Sequence, residues 1–232
     1  MPPDTPGPVP SPGIKLVYAD EAVIVLDKPS GLLSVPGRGP DKQDCLSARV
    51  QAQFSDALVV HRLDMATSGL MVMARSAPVQ RALSEAFANR LVTKRYQAVV
   101  KGEVAAPANG WRVIDLPIGV DWPNRPLRRI DPQGGKASVT QVQLIHFDAA
   151  LNISHVLLEP LTGRTHQLRL HLQAVGHPIL GDALYASADQ VALSPRLLLH
   201  AVELGFVHPV SGQGLQFSLE RLKYPGEPHT KR

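Results

Sequence analysis

The sequence predicts an α+β protein built on a mixed, largely antiparallel β-sheet with flanking helices and loops. Three observations carry that expectation. Short runs of apolar and β-branched residues are numerous, helical periodicities are few, and the two do not alternate as βαβ units of a parallel sheet would. The chain has 232 residues, 44% of them hydrophobic and 19% charged, which is enough apolar material for one sizeable core. We expect a single domain over residues 14–232, preceded by a disordered lead-in over residues 1–13, the proline-rich MPPDTPGPVPSPG. No internal repeat and no second-domain boundary is visible.

Ala22–Pro29 (AVIVLDKP) reads as a buried strand stopped by Pro29, followed by a turn-rich loop to Pro40. Leu46, Val50 and Phe54 recur at a spacing of four and predict a short helix. Leu70–Arg75 is an apolar strand. Val79, Leu83, Ala86 and Phe87 mark an amphipathic helix, with Ser76 as its cap and Pro78 in its first turn. Lys94–Gly102, Ala137–Ile145 and Ser154–Pro160 read as strands. Thr165–Pro178 reads as a helix with Leu168, Leu172 and Val175 on one face, stopped at Gly176. Two strands, near Val202–Val207 and Leu215–Leu219, close the chain.

Composition excludes several classes. No apolar run is long enough to span a bilayer, and the N-terminus lacks the basic head and apolar stretch of a secretory signal. The single cysteine, Cys45, excludes an internal disulfide framework and a multi-thiolate metal site, and points to a reducing cytoplasm. A net charge of +4 raises the odds of a polyanionic partner, although many ordinary enzymes are as basic.

Four segments place reactive or RNA-reading groups at strand ends or in loops. In His61–Gly69 (HRLDMATSG), Asp64 precedes a Thr-Ser-Gly turn at the mouth of an apolar strand, where a carboxylate can face a cleft as nucleophile or base. Spacing alone favours a blander role, a turn cap or an ion-pair partner. In Leu161–Arg169 (LTGRTHQLR), Gly163 and Arg164 lie before a helix whose amides suit an anion, and Arg164 could hold Asp64 ionised; a solvated helix start fits equally. His166, His171 and His177 lack the spacing of a helical zinc pair, so structural or surface roles are expected and no metal. In Lys94-Arg95-Tyr96, a strand tyrosine beside cations can stack on a nucleobase, though ordinary packing is commoner. Val120–Arg129 (VDWPNRPLRR) is a rigid loop whose Trp122, Asn124 and Arg125 could meet phosphates and bases, or could form a packed surface loop.

Taken together and in order, HRLDMATSG, KRY, LTGRTHQLRLHLQAVGHPILGD and LLLHA resemble the RluA-type pseudouridine synthase family from about Tyr18 to Phe217. PSGLLSVPGR and DWPNRP are most similar to its members of dual specificity for 23S rRNA and tRNA. The resemblance implies a single catalytic domain of pseudouridine synthase fold without an appended S4 domain. It implies that Asp64 is the catalytic carboxylate and that Tyr96 stacks on the target base. Arg164 would pair with the aspartate, Arg62 would fill the gap left by the flipped uridine, and Leu158 would wall the base pocket. The implied partners are stem-loops of tRNA and 23S rRNA, with no obligate protein partner; a monomer is expected. No cofactor is expected, since the isomerisation needs none and the chain carries no phosphate loop, dinucleotide motif or thiolate cluster. Two other classes are weighed against this: a non-catalytic RNA-binding module, which the charge also fits, and a serine hydrolase using Ser68, which lacks the nucleophile-elbow motif.

Overall fold

The structure, a computed structural model, describes residues 14–105, 107 and 110–222, so the expected disordered lead-in lies outside the described residues. The chain divides into two compact units, Met1–Asn89 with Val207–Gln213, and Arg90–Phe206 with Gly214–Arg232.

In the first unit, β1 (Lys15–Ala19), β2 (Val23–Lys28), α1 (Leu46–Gln51), β3 (Leu58–Val59), β4 (Ser68–Ala74) and α2 (Ala77–Ala88) follow in order. β2 pairs antiparallel with both β1 and β4, in register from Val23 opposite Ala74 to Lys28 opposite Gly69. β3 lies against β4 at Ala74 and Met73. All seven residues of β4 are buried, which explains why its sequence is apolar throughout instead of alternating. Each large aliphatic side chain so buried contributes roughly 1.5–3 kcal/mol. α2 begins as expected: the Ser76 hydroxyl accepts from the Val79 amide and proline occupies the first turn, while Val79 and Leu83 are buried. α1 is shorter than its periodicity implied. It ends at Gln51, and Phe54 reaches the core from the turn that follows.

The second unit contains β5 (Thr93–Lys101), β6 (Arg112–Asp115), β7 (Ile118–Val120), β8 (Arg128–Ile130), β9 (Val139–Asp148), β10 (Ile153–Pro160), α3 (Gln167–Ala174), α4 (Ala188–Ala192), β11 (Leu199–Val207) and β12 (Gly214–Ser218). Five strands run β11-β5-β10-β9-β6, with β12 beside β11, and β7 and β8 form a separate pair. The ladders β11–β5, β5–β10, β10–β9, β9–β6 and β7–β8 are antiparallel, as the α+β reading requires. α3 is shorter than the predicted helix because His166 adopts a left-handed φ of 57°, so helical geometry starts only at Gln167. It stops as expected at Gly176, whose φ of 88° no branched residue would tolerate. Arg128 and Arg129, expected in a loop, belong to β8.

Candidate active site

Asp64 sits in a tight turn leading into β4, and the backbone on both sides of it is tied down by the segment after β2. The Ser34 hydroxyl donates to the Leu63 carbonyl at 2.7 Å and accepts from the Leu63 amide at 3.1 Å. The Met65 carbonyl accepts from the Gly31 amide at 2.9 Å and from the Lys28 ammonium at 3.1 Å. The Ser30 hydroxyl donates to the Ala66 carbonyl at 2.6 Å, and the Thr67 amide closes the turn onto the Asp64 carbonyl. Asp64 is half-buried and Arg62 is exposed. His61 stacks on Phe87 of α2 with ring centroids 4.4 Å apart, and its Nε2 accepts from the Val72 amide of β4. Gly69, with φ of 114°, lets the strand leave the turn.

Lys28 is the residue that sequence reasoning missed. A lysine ending an apolar strand reads as a solvent-facing stop, yet it is 0% exposed. Its ammonium donates to the carbonyls of Pro29 (2.9 Å) and Leu32 (2.7 Å) as well as Met65. Three carbonyl acceptors satisfy a buried cation and tie two loops together. Ser68, by contrast, is 3% exposed inside β4, which withdraws it from solvent and removes the basis of a serine-hydrolase reading.

In the second unit, Tyr96 of β5 lies opposite Leu158 of β10 and Ala201 of β11. Leu158 is fully buried and Tyr96 half-buried. The neighbouring Arg95 is engaged: its guanidinium donates to Glu159 at 3.0 Å and to Glu203 at 3.3 Å. Those partners raise its pKa and hold it in the sheet. Burial, aided by the Arg90 charge, pushes the Lys94 ammonium down from its ordinary value.

Arg164 is exposed, its Nε directed at the Ala137 carbonyl 3.4 Å away. The turn that carries it is set by Gln167, whose side-chain oxygen accepts from the Arg164 amide (3.0 Å) and the Thr162 hydroxyl (2.8 Å). The Gln167 amide group then donates to the Val139 carbonyl and the Thr140 hydroxyl, both at 3.0 Å. His171 completes the network. Its Nε2 donates to the Leu116 carbonyl, which can only accept, and in the neutral ring Nδ1 then accepts from the Thr140 hydroxyl. Burial pushes this imidazole below its usual range, against the pull of the Leu116 carbonyl. His166 meets the Tyr185 hydroxyl, and His177 the Lys101 carbonyl, which gives all three histidines structural partners. Arg169 makes a buried two-pronged pair with Asp182, at 2.9 and 2.6 Å.

The loop between β7 and β8 presents Trp122, 66% exposed, with the Arg125 guanidinium 4.4 Å from its ring centroid. Asn124 turns its side chain to Asp121. The stacked pair is the outward-facing feature here, while Asn124 shapes the turn.

Residues 22–174 match the family model described as RNA pseudouridylate synthase. The chain is 45% identical over 210 residues to the dual-specificity RNA pseudouridine synthase RluA of Escherichia coli (strain K12), covering 90% of this chain and 94% of that protein. It is 46% identical over 208 residues to the protein of the same name from Vibrio vulnificus, covering 88% and 82%. Among solved structures, human RNA pseudouridylate synthase domain containing 1 superposes with a TM-score of 0.73 at 27% identity, over 94% of this chain and 86% of that one. Human RNA pseudouridylate synthase domain containing 4 gives 0.69 at 26%, over 91% and 89%. With sequence and fold in agreement over most of its length, the chain belongs to the RNA pseudouridylate synthase family and is an RNA-modifying isomerase.

Proposed function

We propose that Asp64 is the catalytic carboxylate and that the enzyme acts on the anticodon stem-loop of tRNA and on a similar hairpin of 23S rRNA. The observation that carries the first part is the anchoring of Leu63, Met65 and Ala66 around Asp64, which fixes a carboxylate at a strand mouth on rigid backbone. The second part rests on the dual-specificity relatives and on the exposed Trp122–Arg125 stack, suited to a splayed loop base or phosphate.

The reaction breaks the N1–C1′ bond, rotates the uracil, forms the C5–C1′ bond, then moves the C5 proton off the ring while N1 gains one. The uridine must first leave its stack, at a cost of a few kcal/mol. Arg62 fills the gap, Tyr96 stacks on the base and Leu158 walls its pocket. Arg164 is the cation proposed to serve beside the carboxylate. Asp64 attacks C1′ or assists loss of a sugar proton.

Asp64→Asn keeps size and removes the charge. In single-turnover tritium release from C5-labelled RNA with excess enzyme, we expect loss of isomerisation with RNA affinity nearly intact. A rate within about tenfold of wild type, roughly 1.4 kcal/mol, would remove Asp64 from the chemistry. Carbodiimide mapping on isolated hairpins of each kind tests the substrates; modification of only one ends the dual assignment.

A further inference from the structure

We propose that an open cavity of about 380 Å³ in the second unit is a subsite for one backbone phosphate of the RNA. It is lined by Arg128 of β8, Lys136 of the turn before β9, and Arg164 with Gly163 and Thr165 ahead of α3. Three cations from three separate segments thus surround one concavity, an arrangement that invites a single anion. A second observation points the same way. The Arg128 Nε is buried and, among the described residues, has no hydrogen-bond partner. A buried guanidinium N–H without an acceptor is costly, and Arg128, half-buried on the cavity wall, can turn it toward a phosphate oxygen there.

The walls are built to hold this geometry. The Arg128 amide donates to the Tyr185 hydroxyl at 2.9 Å, and that hydroxyl also meets His166, at the start of α3. Lys136 is pinned to β7 by reciprocal backbone bonds with Ile118, at 2.9 and 3.0 Å. Gly135 is required there, because a side chain would collide with the Asp131 carbonyl at 2.5 Å. Asp131 lies against Gly119 and Gly134 of the wall, but its carboxylate accepts from the Gly134 amide and Arg129, which leaves it partnered without Arg128 or Lys136. An RNA phosphate is the occupant favoured by the family's substrate, so the inference rests on the RNA reading above. It adds a contact that positions the backbone without reading sequence.

The test uses Lys136→Gln and Arg128→Gln, leaves Arg164 alone because of its proposed role beside the carboxylate, and takes Arg81→Gln on α2 as a control of equal charge loss. Binding of the anticodon stem-loop RNA is measured across salt concentrations. Each pocket variant should weaken binding by about five- to tenfold and lower the slope of log affinity against log salt by about one. Arg81→Gln should change neither. A walk of single methylphosphonate substitutions along the hairpin should find one position that weakens wild type by the same factor and is silent in Lys136→Gln. An unchanged salt slope, or a walk with no such position, overturns the proposal. Competition by inorganic phosphate at constant ionic strength, with a flat walk, would show an anion site that RNA does not use and would overturn the assignment to RNA. Binding needs no turnover, so a wild type that passes these tests yet forms no pseudouridine in the hairpin would sink the substrate reading and leave the pocket. Failure of wild type to bind either hairpin at low salt sinks both.

Discussion

Lys28→Met isolates the support of the Asp64 turn from its chemistry. The substitution keeps a long flexible chain in a site that is 0% exposed but removes the donor to three carbonyls. The Met65 carbonyl retains the Gly31 amide. Pro29 is exposed and water can take its carbonyl, so the one unmet buried acceptor is Leu32, at a cost of about 1–3 kcal/mol. Removing a buried ammonium returns part of its desolvation cost, which brings the expectation to about 1.5 kcal/mol. Urea unfolding with unchanged slope should read this as a lower midpoint. The second readout is the single-turnover rate at a temperature where the variant stays folded. With the Lys28 tie gone, a displacement of Asp64 approaching 1 Å should slow the reaction about 10- to 100-fold while RNA affinity holds. A midpoint shift worth less than about 1 kcal/mol would refute the bonding argument. A lower midpoint with the rate within about twofold would show that Lys28 stabilises the fold without positioning the carboxylate.

Two other outcomes follow from single side chains. The His171 ring should titrate below the ordinary value of 6.5, because burial disfavours its charged form. The unfolded chain then binds more protons just below 6.5, so the stability from neutral His171 is complete above that pH and declines as pH falls through the window beneath it; an NMR titration midpoint at or above 6.5 would contradict the assigned tautomer. Trp122→Ala should weaken hairpin binding by about 1–3 kcal/mol and Trp122→Phe by less, and equal losses in the two would mean that the indole does not stack on a base.

What could be read from the sequence was whatever had a local signature. The Ser76 cap, Pro78 and the Val79–Leu83 stripe specified α2 within one turn, because the hydrogen bond and the buried face arise within the helix itself. The apolar run of β4 and its antiparallel setting were legible for the same reason. β7 and β8, three residues each, carry too few side chains for a period and are flanked by prolines, so Arg128 read as loop. Phe54 kept the spacing of a helix that stops at Gln51, since a core can be reached equally well from the following turn. Lys28 and the phosphate pocket were invisible for a deeper reason. The bond from Lys28 to Met65 spans 37 residues, and the pocket joins segments around 118, 128, 136 and 164. No short pattern encodes such a meeting.

That division has a functional logic. The turn carrying Asp64 is held through its backbone, at Leu63, Met65 and Ala66, by groups that lie outside the turn. Much of the turn's shape is therefore set from outside it, beside the packing of His61 on Phe87. Arg62, exposed, and Asp64, half-buried, can be chosen for what they do to RNA, while Lys28, Ser30 and Ser34 carry the mechanical role. The same separation recurs around Arg164, whose turn is fixed by Gln167 through Thr162, Thr140 and Val139 while its guanidinium stays on the surface. Substitutions in the supporting set should therefore lower rate and stability together. Substitutions at Arg62, whose side chain is exposed, should lower rate with stability nearly unchanged.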